Sequence, residues 1–163
     1  MSAWPAPTAD ALLQTHQAQF APMTLASLDA VMAIEQSAYA HPWTRGNFAD
    51  SLRAGYEGQL LLTPERLLGY YVAMKGVDEV HLLNITVAPD CQGQGLGACL
   101  LEALAAWSIG QGAQWLWLEV RASNEGAQRL YARQGYRGVG LRKGYYPAGA
   151  GPREDAVVMS RPL

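Results

Sequence analysis

The chain is predicted to form a mixed α/β (α+β) domain, with a mostly antiparallel sheet of about six to seven strands flanked by about four helices. Three observations predict it. Three β-rich runs follow one another through short turn-like segments, as in an antiparallel meander. The segment V-A-P-D-C-Q-G-Q-G-L-G-A, residues 87–98, then joins an apolar strand to an amphipathic helix through a glycine-rich turn. An almost wholly apolar run, W-L-W-L-E-V at 115–120, follows that helix and belongs in the middle of a sheet. At 163 residues, 50% hydrophobic and 16% charged, the composition fits one domain with a sizeable core.

Residues 1–22 are rich in Ala, Pro and Gln without clear periodicity and are expected to be a disordered extension, with the domain proper over 23–163. Ser27 is placed to cap a helix carrying Leu28, Val31, Met32 and Ile34, and Thr44 to cap a second with Phe48 and Leu52 one turn apart. Between them, Ala40-His41-Pro42-Trp43 breaks the helix. Strands are expected at 58–62, 67–74 and 80–87. Past the glycine turn, Leu96, Cys99, Leu100, Ala103, Leu104 and Trp107 share one helical face, so a long helix starts near Gly95 and stops at Gly110 and Gly112. After the 115–120 strand, a fourth helix over 124–134 carries Ala127, Leu130 and Tyr131 on one side and ends at Gly135. Strands at 136–142 and 156–160 close the sheet around a long Gly- and Pro-rich loop, 143–155, which is expected to be an adaptable binding edge.

The glycine turn is the first candidate site. The opening amides of the long helix have no intrahelical partner, and the helix dipole adds roughly half a positive charge there, which suits an anionic oxygen. Gly93 and Gly95 let the backbone approach a ligand, and Gln92 and Gln94 leave the loop uncharged. Gly93, Gly95 and Ala98 also satisfy the G-x-G-x-x-A form of the dinucleotide fingerprint. That fingerprint follows a first parallel strand at once, whereas this turn sits mid-chain behind a meander.

A net charge of −2 gives no broad attraction for nucleic acid phosphates. Cys91 and Cys99 have neither disulfide-framework nor metal-motif spacing; a reducing compartment, the cytoplasm, and no bound metal are expected. No apolar run reaches the length of a membrane span, so no membrane partner is expected. His16, His41 and His81 accompany no Ser or Cys nucleophile, which argues against a hydrolase triad.

Glu119 stands out within its apolar strand, on the face shared with Trp115 and Trp117, because a lone carboxylate there needs a reason. Either it is solvated or paired with Arg121, or it is a general base. Tyr131 serves either as core packing or, through its hydroxyl, as a proton donor. Asn124 is placed to cap the fourth helix.

Gln92-Gly93-Gln94-Gly95-Leu96-Gly97 matches the Q/R-x-x-G-x-G/A loop of the GCN5-related N-acetyltransferase superfamily, which the chain resembles. W-L-E-V-R-A-S-N at 117–124, L-Y-A-R-Q-G-Y at 130–136, Y-Y-P at 145–147 and R-E-D-A at 153–156 resemble a narrower group, the RimI-type ribosomal-protein-alanine N-acetyltransferases. The resemblance runs from about Met23 to the C-terminus. It implies acetyl-CoA as cosubstrate, held by loop residues 92–98, by Asn124, and by the main chain of Ile85, Thr86 and Val87 along the pantetheine arm. It further implies Glu119 as general base, Tyr131 as general acid, and Tyr145 and Tyr146 at the peptide groove. The implied acceptor is a protein N-terminus, the N-terminal alanine of a small-subunit ribosomal protein. Two other functions remain open: acetyl transfer to lysine or a small-molecule amine, and non-catalytic acyl-CoA binding. Gly93 and Ala98 stand where relatives often carry basic residues, and the Ala148–Pro152 run is less polar than the family loop, so cofactor affinity and acceptor choice are open to drift.

Overall fold

The computed structural model describes residue 5 and residues 7–163. Five α-helices and seven strands follow the order α1 (Ala9–His16), β1 (Gln19–Pro22), α2 (Leu28–Ala38), α3 (Arg45–Arg53), β2 (Glu57–Leu62), β3 (Leu67–Lys75), β4 (Glu79–Val87), α4 (Leu96–Gly110), β5 (Trp115–Arg121), α5 (Glu125–Arg133), β6 (Arg137–Tyr146) and β7 (Glu154–Pro162). Thr44 caps α3 as its sequence implies: its hydroxyl accepts from the Asn47 amide at 3.1 Å, and the Asn47 side chain accepts from the Thr44 amide at 2.9 Å.

The strands form one sheet in the order β1-β2-β3-β4-β5-β7-β6. Every neighbouring pair is antiparallel except β4 and β5, which run parallel because helix α4 carries the chain from the end of one to the start of the other. The expected mostly antiparallel sheet with β5 in its interior is thus observed. Alternation on β5 sends Leu116, Leu118 and Val120 into the core under α4 and leaves Trp115, Trp117, Glu119 and Arg121 on the other face. A second apolar cluster, with Phe48, Leu28, Val31 and Tyr70, lies beneath α2 and α3.

The pairing of β4 with β5 is short. It runs from Glu79 opposite Trp115 to Leu82 opposite Leu118 and stops. Beyond it, β4 stays paired to β3 as far as Val87 opposite Gly69, and β5 to β7 as far as Arg121 opposite Ala156. Each strand follows its outer neighbour, and a wedge opens between them in the middle of the sheet.

The structure corrects three expectations. Residues 9–22 are not a disordered extension: they form α1 and β1. Thr8 caps α1, β1 pairs with β2 from Gln19 opposite Leu62 to Pro22 opposite Gln59, and Leu13, Ala18 and Phe20 pack on the main core. The start of that predicted extension, residues 1–4 and residue 6, lies outside the described residues. Ser27 makes no side-chain cap on α2; its hydroxyl instead accepts from the Thr24 amide at 3.1 Å, closing a single 3₁₀ turn at Leu25–Ser27. The loop expected over 143–155 is shorter, because β6 continues to Tyr146 and β7 begins at Glu154. Side chains stitch that hairpin. The Arg153 guanidinium donates to the carbonyls of Gly144 and Tyr145 at 2.8 and 2.7 Å, and Asp155 accepts from the Gly144 amide at 2.9 Å.

Candidate active site

The wedge between β4 and β5 is the mouth of a cleft of about 400 Å³. Its walls include Asn84 and Ile85 from β4, Glu119 and Arg121 from β5, Tyr131 from α5 and Tyr146 from the end of β6. Period-two alternation and helical spacing, acting on distant segments, thus bring Ile85, Glu119, Asn124, Tyr131 and Tyr146 of the sequence-based candidates to one place.

Glu119 is nearly out of solvent, its side chain 8% exposed. Its Oε2 lies 2.5 Å from Nε2 of His81, and its Oε1 lies 3.5 Å from a guanidinium nitrogen of Arg142. Arg121, the partner considered from sequence, turns elsewhere: it bonds Glu154 at 3.3 Å and the Pro147 carbonyl at 3.0 Å, and its guanidinium sits 4.6 Å over the Tyr146 ring. Glu154 also accepts from the amide and hydroxyl of Ser123, and these bonds, with Arg121, hold its carboxyl below the usual carboxylate range. This ties β7 to the turn that launches α5.

Tyr131 is buried, and among the described residues its hydroxyl has no hydrogen-bond partner. Burial raises its pKa well above that of a free phenol, and the phenols of Tyr39, Tyr136 and Tyr146 push the same way, so the hydroxyl keeps its proton. Asn124 caps α5, its side-chain oxygen accepting from the Ala127 amide at 3.1 Å, while also lining the cleft. Tyr145 lies outside the cleft lining; it packs edge-on against Tyr146 with ring centroids 4.8 Å apart and lies under Arg142.

The glycine turn stands apart from the cleft. Gly93, Gln94, Gly95 and Ala98 line a hollow of their own, whose far wall is α1. Gly95 is the N-cap of α4 at φ +87°, with no side-chain cap, so the first amides of α4 remain free for a ligand among the described residues. Gln92 braces the turn, donating to the Val87 carbonyl at 3.2 Å. A Cβ on Gly95 would meet Leu12 of α1 at 2.8 Å, so glycine there serves both the left-handed backbone and the approach of α1.

A buried polar chain on the β4 side was not legible in the sequence. Glu35, 1% exposed, accepts from the Tyr70 hydroxyl at 3.0 Å and from Asn84 at 2.8 Å, and also from the Trp43 amide. Thr86 donates to Asn84 Oδ1 at 2.8 Å, and the single proton of the Tyr39 hydroxyl is shared between Thr86 Oγ1 at 2.8 Å and the Ile85 carbonyl at 2.9 Å. Burial raises the Glu35 pKa against these bonds, and burial lifts that of Tyr39 to about 12. The chain of bonds fixes β4 where it leaves β5. His41 and Trp43, read from sequence only as part of a helix break, line the cleft too. Their one sequence signal is an aromatic and imidazole pair flanking a proline.

A wedge in a sheet, together with a helix mouth of free amides, defines a class of fold that receives an extended ligand with an anionic end. The chain belongs to the Acetyltransferase (GNAT) family, whose pattern matches residues 28–136. It is 40% identical over 136 residues to the ribosomal protein bS18-alanine N-acetyltransferase of Escherichia coli strain K12, covering 83% of this chain and 91% of that protein. It is 34% identical over 139 residues to the putative enzyme of that name from Bacillus subtilis strain 168, covering 84% and 90%. The crystal structure of the ribosomal-protein-S18-alanine N-acetyltransferase from Escherichia coli superposes with a TM-score of 0.83 at 37% identity, covering 90% of this chain and 94% of that one. A GNAT family acetyltransferase from Elizabethkingia anophelis, solved with acetyl-CoA bound, shares the fold at 21% identity and a TM-score of 0.71, with 90% and 98% covered. Among the described residues no helix is long and apolar enough to cross a membrane.

Proposed function

We propose that this protein transfers the acetyl group of acetyl-CoA to the N-terminal α-amine of a protein, the alanine of ribosomal protein S18, by direct attack within one ternary complex in the cytoplasm. The observation that carries this reading is the wedge, which opens Glu119 and Tyr131 onto one cleft beside the stretch of β4 that β5 leaves without a partner. The assignment of S18 leans on the relatives of known activity, which match over most of the chain.

In this reading the free amides at the start of α4, with Gly93, Gln94, Gly95, Leu96, Gly97 and Ala98 around them, take the pyrophosphate. Ile85, Thr86 and Val87 lie past the last β5 partner of β4, and the main-chain groups there that β3 leaves free bond the pantetheine arm as an added strand would. A β4 amide aimed at the thioester oxygen stabilises the charge that develops there. Asn124 adds a polar contact while capping α5.

Only a neutral amine attacks. A chain-terminal amine, with pKa about 7.7 to 8.0, is neutral roughly a tenth of the time at pH 7, and a lysine amine well under a thousandth. Glu119, directly or through one water, accepts the proton the amine sheds as its bond to carbon forms. Tyr131 gives its proton to the departing thiolate; burial keeps that proton in place until negative charge appears beside it. Tyr146, with Tyr145 behind it, bounds the groove for the acceptor peptide.

The test is incubation of the purified protein with acetyl-CoA and peptides beginning Ala, Ser, Met or acetyl-blocked Ala, some carrying internal lysine, read by mass. The expected result is one acetyl group on the Ala peptide and none on the blocked one. Acetylation of the blocked peptide at lysine would move the chain to lysine transfer; no product with any amine, alongside retained acetyl-CoA binding, would make it a binding module.

A further inference from the structure

Glu119 has a partner behind it that sequence reading passed over. The parallel register sets His81 of β4 opposite Trp117, one residue before the two strands part, so its imidazole points along the same face as Glu119. Nε2 of His81 and Oε2 of Glu119 are 2.5 Å apart, with the imidazole 25% exposed and the carboxylate 8%. His81 stands behind Glu119 and is not among the residues that line the cleft.

We propose that His81 is a positioning residue for Glu119, its ring N–H holding the carboxylate in the orientation that accepts the proton of the amine; this rests on Glu119 being the base. A separation of 2.5 Å holds one proton between the two atoms. With Glu119 ionised and the imidazole neutral, that proton is on Nε2, which donates to Oε2 and fixes the carboxylate while Nδ1 carries a bare lone pair. The remaining lone pairs of the carboxylate serve the cleft. The other groups facing this pair are Arg142 of β6, 3.5 Å from Oε1, and the Tyr146 phenol, which feels the Glu119 charge; β3 presents Met74 opposite His81, which carries none.

Steady-state kinetics of His81→Ala, His81→Gln, Glu119→Gln and the His81→Ala/Glu119→Gln pair across pH tests this. His81→Ala should lower kcat by about tenfold or more while KM for acetyl-CoA stays within about twofold. His81→Gln, which keeps an N–H donor, should recover part of that rate. Added imidazole should partly rescue His81→Ala, and in the Glu119→Gln background the His81 change should do nothing further. A His81→Ala enzyme with unaltered kcat and pH profile overturns the inference, as does an equal loss in both backgrounds. Full activity of Glu119→Gln alone would instead remove Glu119 as the base, and the inference with it.

Discussion

Glu119 and Tyr131 occupy the same cleft in opposite electrostatic settings. The carboxylate is held between an imidazole and a guanidinium, and the phenol sits among apolar neighbours and other phenols with its hydroxyl unclaimed. That division suits a base and an acid. Glu119→Gln and Tyr131→Phe should each lower kcat by about a hundredfold or more and leave acetyl-CoA affinity, measured by calorimetry, within about twofold, since both substitutions keep shape and remove only proton transfer. Retained turnover in either would reassign that step. Glu35 lines the same cleft on its β4 side, where it anchors Asn84. Its replacement by Ala strips an acceptor from the Tyr70 hydroxyl and the Asn84 amide, both buried, and leaves a void beside β4. The expected loss is about 2 to 4 kcal/mol by urea unfolding. Unchanged stability would mean that those donors find water. Glu119 and Tyr131 were legible because each is chemically out of place, a charge in an apolar strand and a hydroxyl on a packing face. Glu35 and His81 were not, because each gains its meaning from a partner more than thirty residues away, as the separations of 49 and 38 to Asn84 and Glu119 show. A single-chain pattern carries no such register.

Among elements, helices α2 to α5 and strands β2 to β7 were legible from periodicity, Thr44 and the glycines, since those signals are local. Helix α1 and strand β1 were not. Helix α1 spans only eight residues, too short for its periodicity to stand out in an Ala-, Pro- and Gln-rich stretch, and it is held by Leu13 and Phe20 meeting a core assembled far away in sequence. The wedge has no local signal in the residues and was expected only through the family resemblance, since it arises where β4 and β5 follow different outer neighbours. Helix α1 in turn braces the glycine turn, and Gly95 is the contact point. Gly95→Ala forces a side chain onto a left-handed backbone and into Leu12, so it should cost about 1 to 3 kcal/mol and raise the dissociation constant for acetyl-CoA. Adding Leu12→Ala should return the part due to collision but not the part due to φ. Differential scanning calorimetry of the single and double variants separates the two; a Gly95→Ala protein as stable and as tight-binding as the parent would show that neither constraint holds.

Across the whole molecule, pH acts through carboxyls with opposite shifts. Arg66 grips Asp90, beside the glycine turn, with two bonds of 2.6 and 2.8 Å, and lowers its pKa to about 2. Asp90 therefore favours the folded state above the unfolded carboxylate value of about 3.9, and that contribution is lost as pH falls toward 2. Glu35 runs the other way. Its folded pKa is raised by burial, so the native state holds a proton that the unfolded chain releases, and stability falls as pH rises from the unfolded value of about 4.3 through the folded one. Chemical unfolding of the parent, Asp90→Asn and Glu35→Gln at successive pH values separates these terms. The gap between the parent and Asp90→Asn should close as the acid limit is approached, and should also shrink at about 1 M salt, because the Arg66 pair is exposed and screened. The gap for Glu35→Gln should instead change above about pH 4.3, with the variant losing the descending limb that the parent shows there. Parallel curves for all three proteins at every pH would mean that neither carboxyl changes its proton affinity on folding, and the buried chain from Glu35 to Ile85 would then stabilise β4 by shape alone.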